Sequence, residues 1–192
     1  MNDIFGKVFA AILGVFTIYL LALNISQRHD NSTQTYVTDC VNEFVDEVRS
    51  TGHISARKYL NFIEALDRTN LRFEVEITHM SAKTGMVDDA DITKGYLTYY
   101  ENYYTDEICD VLFSDDTQSY YDSRSVYKLK KGDFIKIEVK NATPTLTNKM
   151  LGFWLGNTRN NTIFISYGGY VGTDIQLWWI YRNRYFSKGG VM

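Results

Sequence analysis

The sequence predicts an α+β fold: an N-terminal transmembrane helix followed by amphipathic helices and a small antiparallel sheet. Three observations carry this expectation. Val8 to Leu23 contains no charged residue. From Ser32 to Arg68 apolar residues recur at helical spacing, and beyond Leu71 the period changes to two. The domain reading is a transmembrane anchor over residues 1–25 and a soluble α+β domain over residues 26–192.

The anchor comes first in the chain. The apolar run extends outward to Ile4 and Ile25 and spans ~33 Å as a helix, close to the thickness of a bilayer core. Lys7 has a stem long enough to carry its ammonium to the headgroups. A cleaved signal peptide would want a basic start, a shorter apolar stretch and small residues before the cut. Here a single Lys is set against Asp3, and Leu23, Asn24 and Ile25 make a poor cleavage site, so a retained anchor is the expectation. Its small residues Ala10, Ala11, Gly14 and Ala22 suit helix packing in the membrane. Lys7 and Arg28 flank the run about equally, so charge does not orient it. A Tyr-, Thr- and Asn-rich remainder with only two cysteines favours the extracytoplasmic side, which makes this a single-pass cell-membrane protein.

A polar stretch, Ser26 to Asn31, reads as a short hinge. A helix over about Ser32–Thr51 follows, with Tyr36, Val37, Cys40, Val41, Phe44, Val45 and Val48 on one side, and Gly52 placed to end it. A second helix is expected at about Ala56–Arg68, with Ser55 as N-cap and Ile54 stapled to Tyr59.

Alternation then takes over. Leu71, Phe73, Val75 and Ile77 interleave with polar residues as in a strand with one covered face. Phe134–Val139 repeats the pattern after the Lys131-Gly132-Asp133 turn. Thr162–Tyr167 is a third strand, and Ile175–Tyr181 a fourth. Between the first two lies an acidic, Tyr-rich insert, Ser81–Ser125. There Tyr96, Tyr99, Tyr100, Tyr103 and Tyr104 stand at i, i+3, i+4, i+7 and i+8, which predicts a helix across Gly95–Phe113. Thr105 is alternatively the cap of a shorter helix from Asp106. A short helix is expected at Leu146–Leu155, after Pro144.

Chemistry is harder to find. A net charge of −3 argues against a dedicated nucleic-acid binder. His29, His53 and His79 form no metal-binding motif, and Asp88, Asp89, Asp91, Asp115 and Asp116 lack the spacing of a calcium loop. Cys109 sits among acidic neighbours that raise a thiol pKa, which is the wrong direction for a sortase nucleophile. Lys130–Phe134 and Pro144–Leu146 echo pieces of the signal peptidases, but in reversed order and without the serine box. No cofactor, metal site or small-molecule substrate is expected, and no catalytic residue is assigned. In an oxidising compartment Cys40 and Cys109 could pair as a disulfide, contributing ~4 kcal/mol by chain entropy; two small buried side chains is the competing reading. Trp178, Trp179, Arg182 and Arg184 are of the types that anchor partner contacts, with a Trp-rich edge strand as the plainer alternative.

The layout resembles the TadE-like pilin and pilus-assembly proteins. An apolar helix runs into an amphipathic one (Val41-Asn42-Glu43-Phe44-Val45) and a Thr51-Gly52 turn. A small sheet domain follows, carrying Lys131-Gly132-Asp133-Phe134 and Ser166-Tyr167-Gly168-Gly169. Type IV pilins are cut after Gly or Ala, with Glu five places beyond. Here the fifth residue after Gly6 is Ala11, so an uncut, membrane-held protein is expected. The resemblance implies a non-enzymatic component of a pilus or secretion machine, whose partners are the membrane and other subunits, including copies of itself. The alternatives are an anchored sortase- or peptidase-like enzyme and a conjugation-channel component.

Overall fold

A single helix, α1 (Asn2–Thr51, 50 residues), forms the spine of the molecule. The structure, a computed structural model, describes residues 2–86, 96–114, 125–156 and 163–172. The expected hinge at Ser26–Asn31 is absent: α1 runs through it unbroken. None of those six residues is Gly or Pro, so nothing in the backbone forces a break. Ser26, the one buried residue of that stretch, is bonded to Thr147 (3.0 Å). The anchor and the soluble part therefore share one helix, with no linker at 25/26.

Gly52, at φ 69°, ends α1 in the left-handed region, and its N–H bonds the Val48 carbonyl (2.8 Å). The chain then forms β1 (His53–Ser55) and α2 (Ala56–Asp67), where the Ser55 hydroxyl accepts from the Lys58 N–H as expected of an N-cap. Phe62 of α2 stacks on Phe44 of α1, with centroids 4.6 Å apart.

β2 (Phe73–Met86) is longer than the alternation promised and reaches well into the acidic insert. It pairs with β3 (Tyr96–Tyr104), where a helix was expected. Tyr and Thr favour a pleated surface, and β2 supplies nine consecutive partners from Thr78 to Met86. The helix that does form, α3 (Thr105–Leu112), matches the shorter alternative, displaced by one residue. Its first turn is closed by the Glu107 carboxylate, which accepts from the Tyr104 N–H (3.0 Å). Thr105 instead accepts from the Ile77 N–H (2.8 Å), tying α3 to the sheet.

β4 (Val126–Lys128) pairs with β1, and β5 (Phe134–Asn141) with β2. α4 (Leu146–Leu155) begins at Thr145, whose hydroxyl caps Asn148 N–H, and β6 (Phe164–Tyr170) completes the main sheet in the order β3-β2-β5-β6, all antiparallel. The expected strand at Ile175–Tyr181 lies outside the described residues.

Register fixes which residues meet α1. Val75, Val139 and Ile165 form one row across the sheet; Ile77, Ile137 and Tyr167 form the next; His79, Ile135 and Gly169 form the third. Against these rows α1 sets Val37, Val41, Phe44, Val45 and Val48, all buried. The opposite face is polar, with Lys136 and Glu138 ion-paired at 2.7 Å.

Candidate functional site

The two halves of α1 face different surroundings. Its C-terminal half is core; its N-terminal half, from Ile4 to Leu21, leaves Phe5, Phe9, Ile12, Val15 and Ile18 exposed. The helix is long and apolar enough to cross a membrane, and its most apolar stretch is wholly unburied. A surface so apolar and so extended is stable only against lipid or other helices. The predicted small residues divide. Ala10, Ala11 and Gly14 are exposed, and a Cβ built on Gly14 would meet nothing within 4 Å. Ala22 is half-buried, in the stretch where α4 packs along α1.

That packing is specific. The Tyr19 hydroxyl donates to the Met150 carbonyl (2.9 Å), and Tyr19 contacts the Trp154 ring (5.5 Å between centroids). With Ser26 against Thr147 at the other end, α4 runs antiparallel to α1 along residues 19–26.

Sequence reasoning missed a buried polar cluster between β2 and the turn that leads into β5. His79 and Asp133 are 3 % and 2 % exposed, and Nε2 of His79 lies 3.0 Å from Oδ2 of Asp133. Nδ1 lies 2.7 Å from the Tyr127 hydroxyl, and Tyr103 stacks on the ring. In a neutral imidazole Nε2 donates to the carboxylate and Nδ1 accepts from the phenol. The order carboxylate, imidazole, hydroxyl is that of a nucleophile-activating relay. Here the last hydroxyl is a phenol whose pKa is pushed up, first by burial and then by nearby acidic groups, so Tyr127 is a donor rather than a nucleophile. Asp133 also accepts from the Lys130 N–H (2.7 Å) and the Ala82 N–H (3.2 Å). The cluster locks the Lys130–Asp133 turn onto β2. The only sequence signal for it was a Gly-Asp pair entering a strand.

The cysteines are free, half-buried thiols, so the possible Cys40–Cys109 disulfide is not formed. Each engages a different tyrosine: Cys40 bonds Tyr36 one turn away, and Cys109 bonds Tyr59 of α2. Burial pushes both thiols up, with acidic neighbours adding to it. Cys40 lines a groove of about 270 Å³ between α1 and α2 with Glu43, Glu47, Arg57 and Lys58, in which Lys58 is paired with Glu47 at 2.9 Å. A raised thiol beside carboxylates is a poor nucleophile. Among the described residues no three of His, Cys, Asp or Glu converge as metal ligands. Trp178, Trp179, Arg182 and Arg184 lie outside the described residues. Compared with family models, with curated proteins and with solved structures, the chain matches none.

Proposed function

We infer that the protein is a non-enzymatic, pilin-like membrane component of a pilus or secretion machine, acting through subunit contacts. One observation carries this reading: α1 is a single rod whose first half is bare and apolar and whose second half is the core of the sheet domain. In such an arrangement the domain cannot move independently of the apolar segment. A catalytic domain on a tether has no need of that coupling, whereas a subunit that must hold its soluble surface at a fixed height and rotation does. Ala10, Ala11 and Gly14, at i, i+1 and i+4 and so within one side of the bare helix, allow close approach of another helix in lipid or in a filament core. The missing Glu at position 11 favours an uncut, membrane-held role, with the sheet domain on the extracytoplasmic side.

The test is site-specific photocrosslinking in the producing cells, with a photoreactive amino acid at Gly14, followed by detergent extraction. Adducts with other membrane subunits or with a second copy, together with co-purification of a larger assembly, are expected. A chain that stays in the aqueous fraction without detergent, or that extracts as a strict monomer with no adduct, overturns the reading.

A further inference from the structure

We propose that α4 is a second membrane contact, an interfacial helix lying in the headgroup and acyl boundary of the leaflet from which α1 emerges. The occupant of its outer face is the phospholipid surface. This rests on α1 spanning the membrane, and adds to it a claim about a segment more than a hundred residues away in sequence.

Depth is the first argument. α4 is fastened alongside residues 19–26 of α1, at Ser26 by Thr147 and at Tyr19 by Met150 and Trp154. Tyr19 lies within the apolar run that ends at Ile25, about 9 Å below that end along the helix axis. A helix bound there sits at the depth of interfacial helices, whose apolar faces enter by ~5–10 Å. If α1 spans the bilayer, α4 has no other place to be.

Composition is the second. Phe153 is 86 % exposed and Trp154 62 %, at the C-terminal end of α4, which is the end nearer the membrane centre. Leu146 and Lys149 are exposed toward its outer end. In water two bare aromatic rings side by side are unfavourable. At a bilayer boundary Trp and Tyr are the preferred residues, and Trp154 lies against Tyr19 in such a belt. Lys149, one turn further out, is placed to reach the phosphates along its own stem.

The polar face of α4 supplies the third. Thr147 and Asn148 are buried toward the protein, and Thr145 caps the first turn. The side turned away from the protein is thus the more apolar one. That inverts the pattern of a soluble surface helix and suits one bathed in lipid.

The experiment uses the full wild-type chain in phosphatidylcholine–phosphatidylglycerol vesicles containing a phospholipid with a diazirine in its acyl chain. After irradiation, adducts are mapped by mass spectrometry. Adducts on α1 between Ile4 and Leu21 and also on Phe153 or Trp154 are expected. Adducts on α1 with none on α4 overturn this proposal while leaving the anchor reading intact; no adducts on either overturn both. Nitroxides at Phe153→Cys, Lys149→Cys and Phe16→Cys, in a Cys40→Ser, Cys109→Ser background, give the independent measurement. Oxygen accessibility relative to a water-soluble nickel chelate should be high at 16 and 153 and lower at 149. A label at 153 shielded from both reagents means that protein, such as a second copy, covers this face, and overturns the lipid assignment.

Discussion

Two glycines in β6 show how narrowly that strand is seated, Gly168 against β5 and Gly169 against α1. A Cβ on Gly168 would fall 2.6 Å from the Ile135 carbonyl oxygen, and one on Gly169 would collide with the Arg49 guanidinium. Arg49 lies flat across β6 because its Nε donates to the Tyr170 carbonyl (3.1 Å). From sequence this Gly-Gly pair marks the end of a strand; instead the strand runs through it, since close approach and not a turn requires the missing side chains. Gly168→Ala should destabilise the fold by about 2 kcal/mol, because the colliding atom is backbone and cannot swing away. Denaturant unfolding of the full chain in detergent micelles checks this, and an unchanged midpoint would contradict it. Asp133→Ala is expected to cost more, on the order of 3 kcal/mol, since it strands the buried His79 ring and takes the acceptor from two half-buried N–H groups at once. The same unfolding assay reads it. His79 and Asp133 are 54 residues apart in sequence. Their meeting depends on the β2–β5 register, which alternation alone does not supply.

Among the elements, β3 is the strand whose sequence reads as a helix, for a physical reason. Tyr at positions 96, 99, 100, 103 and 104 satisfies a helical stripe, yet the same run pairs as a strand when a long partner is available. Tyrosine tolerates burial on one side and water on the other, so its spacing discriminates weakly between the two periods. The amphipathic helices α1 and α2 were legible because aliphatic residues on one face admit only one period. α3 gives a prediction of its own. It docks on α2 through Cys109 against Tyr59 and Phe113 against the Tyr59 ring. Burial, then the Cys109 thiol, pushes the Tyr59 hydroxyl up to about 12 from an ordinary value of 10.0. The fold thus favours the neutral phenol. Its contribution is complete below pH about 10 and is lost as pH rises through about 12. Wild-type stability, measured by denaturant unfolding across that window, should fall more steeply than that of Tyr59→Phe; parallel curves would show that the contact does not depend on the proton.

At the scale of the whole molecule the question is whether α1 acts as one body. The apolar run was plain in the sequence, as was the amphipathic half beyond it; their continuity was not, because a polar Ser26–Asn31 stretch reads equally as hinge or as solvated helix. α4 braces the start of that stretch, with Thr147 on Ser26 and Met150 on Tyr19. A chain of 50 helical residues is about 75 Å long. Tilting the apolar half then tilts the sheet domain, since Val37, Val41 and Val48 cannot leave the core without unfolding it. Spin labels on Leu21→Cys and Asp39→Cys, both exposed, straddle the disputed stretch five turns apart on one face. With Cys40 and Cys109 replaced by Ser, double electron–electron resonance in vesicles should give a single narrow distance of about 27 Å along the axis. A broad distribution with shorter distances would restore the hinge. Arg28→Pro is the internal control: it removes a helical hydrogen bond and crowds the preceding turn, at a cost of ~3 kcal/mol, and should itself broaden the distribution. If the wild-type chain already looks like that variant, the domain swings freely on its anchor, and the case for a subunit held at a fixed height loses its support.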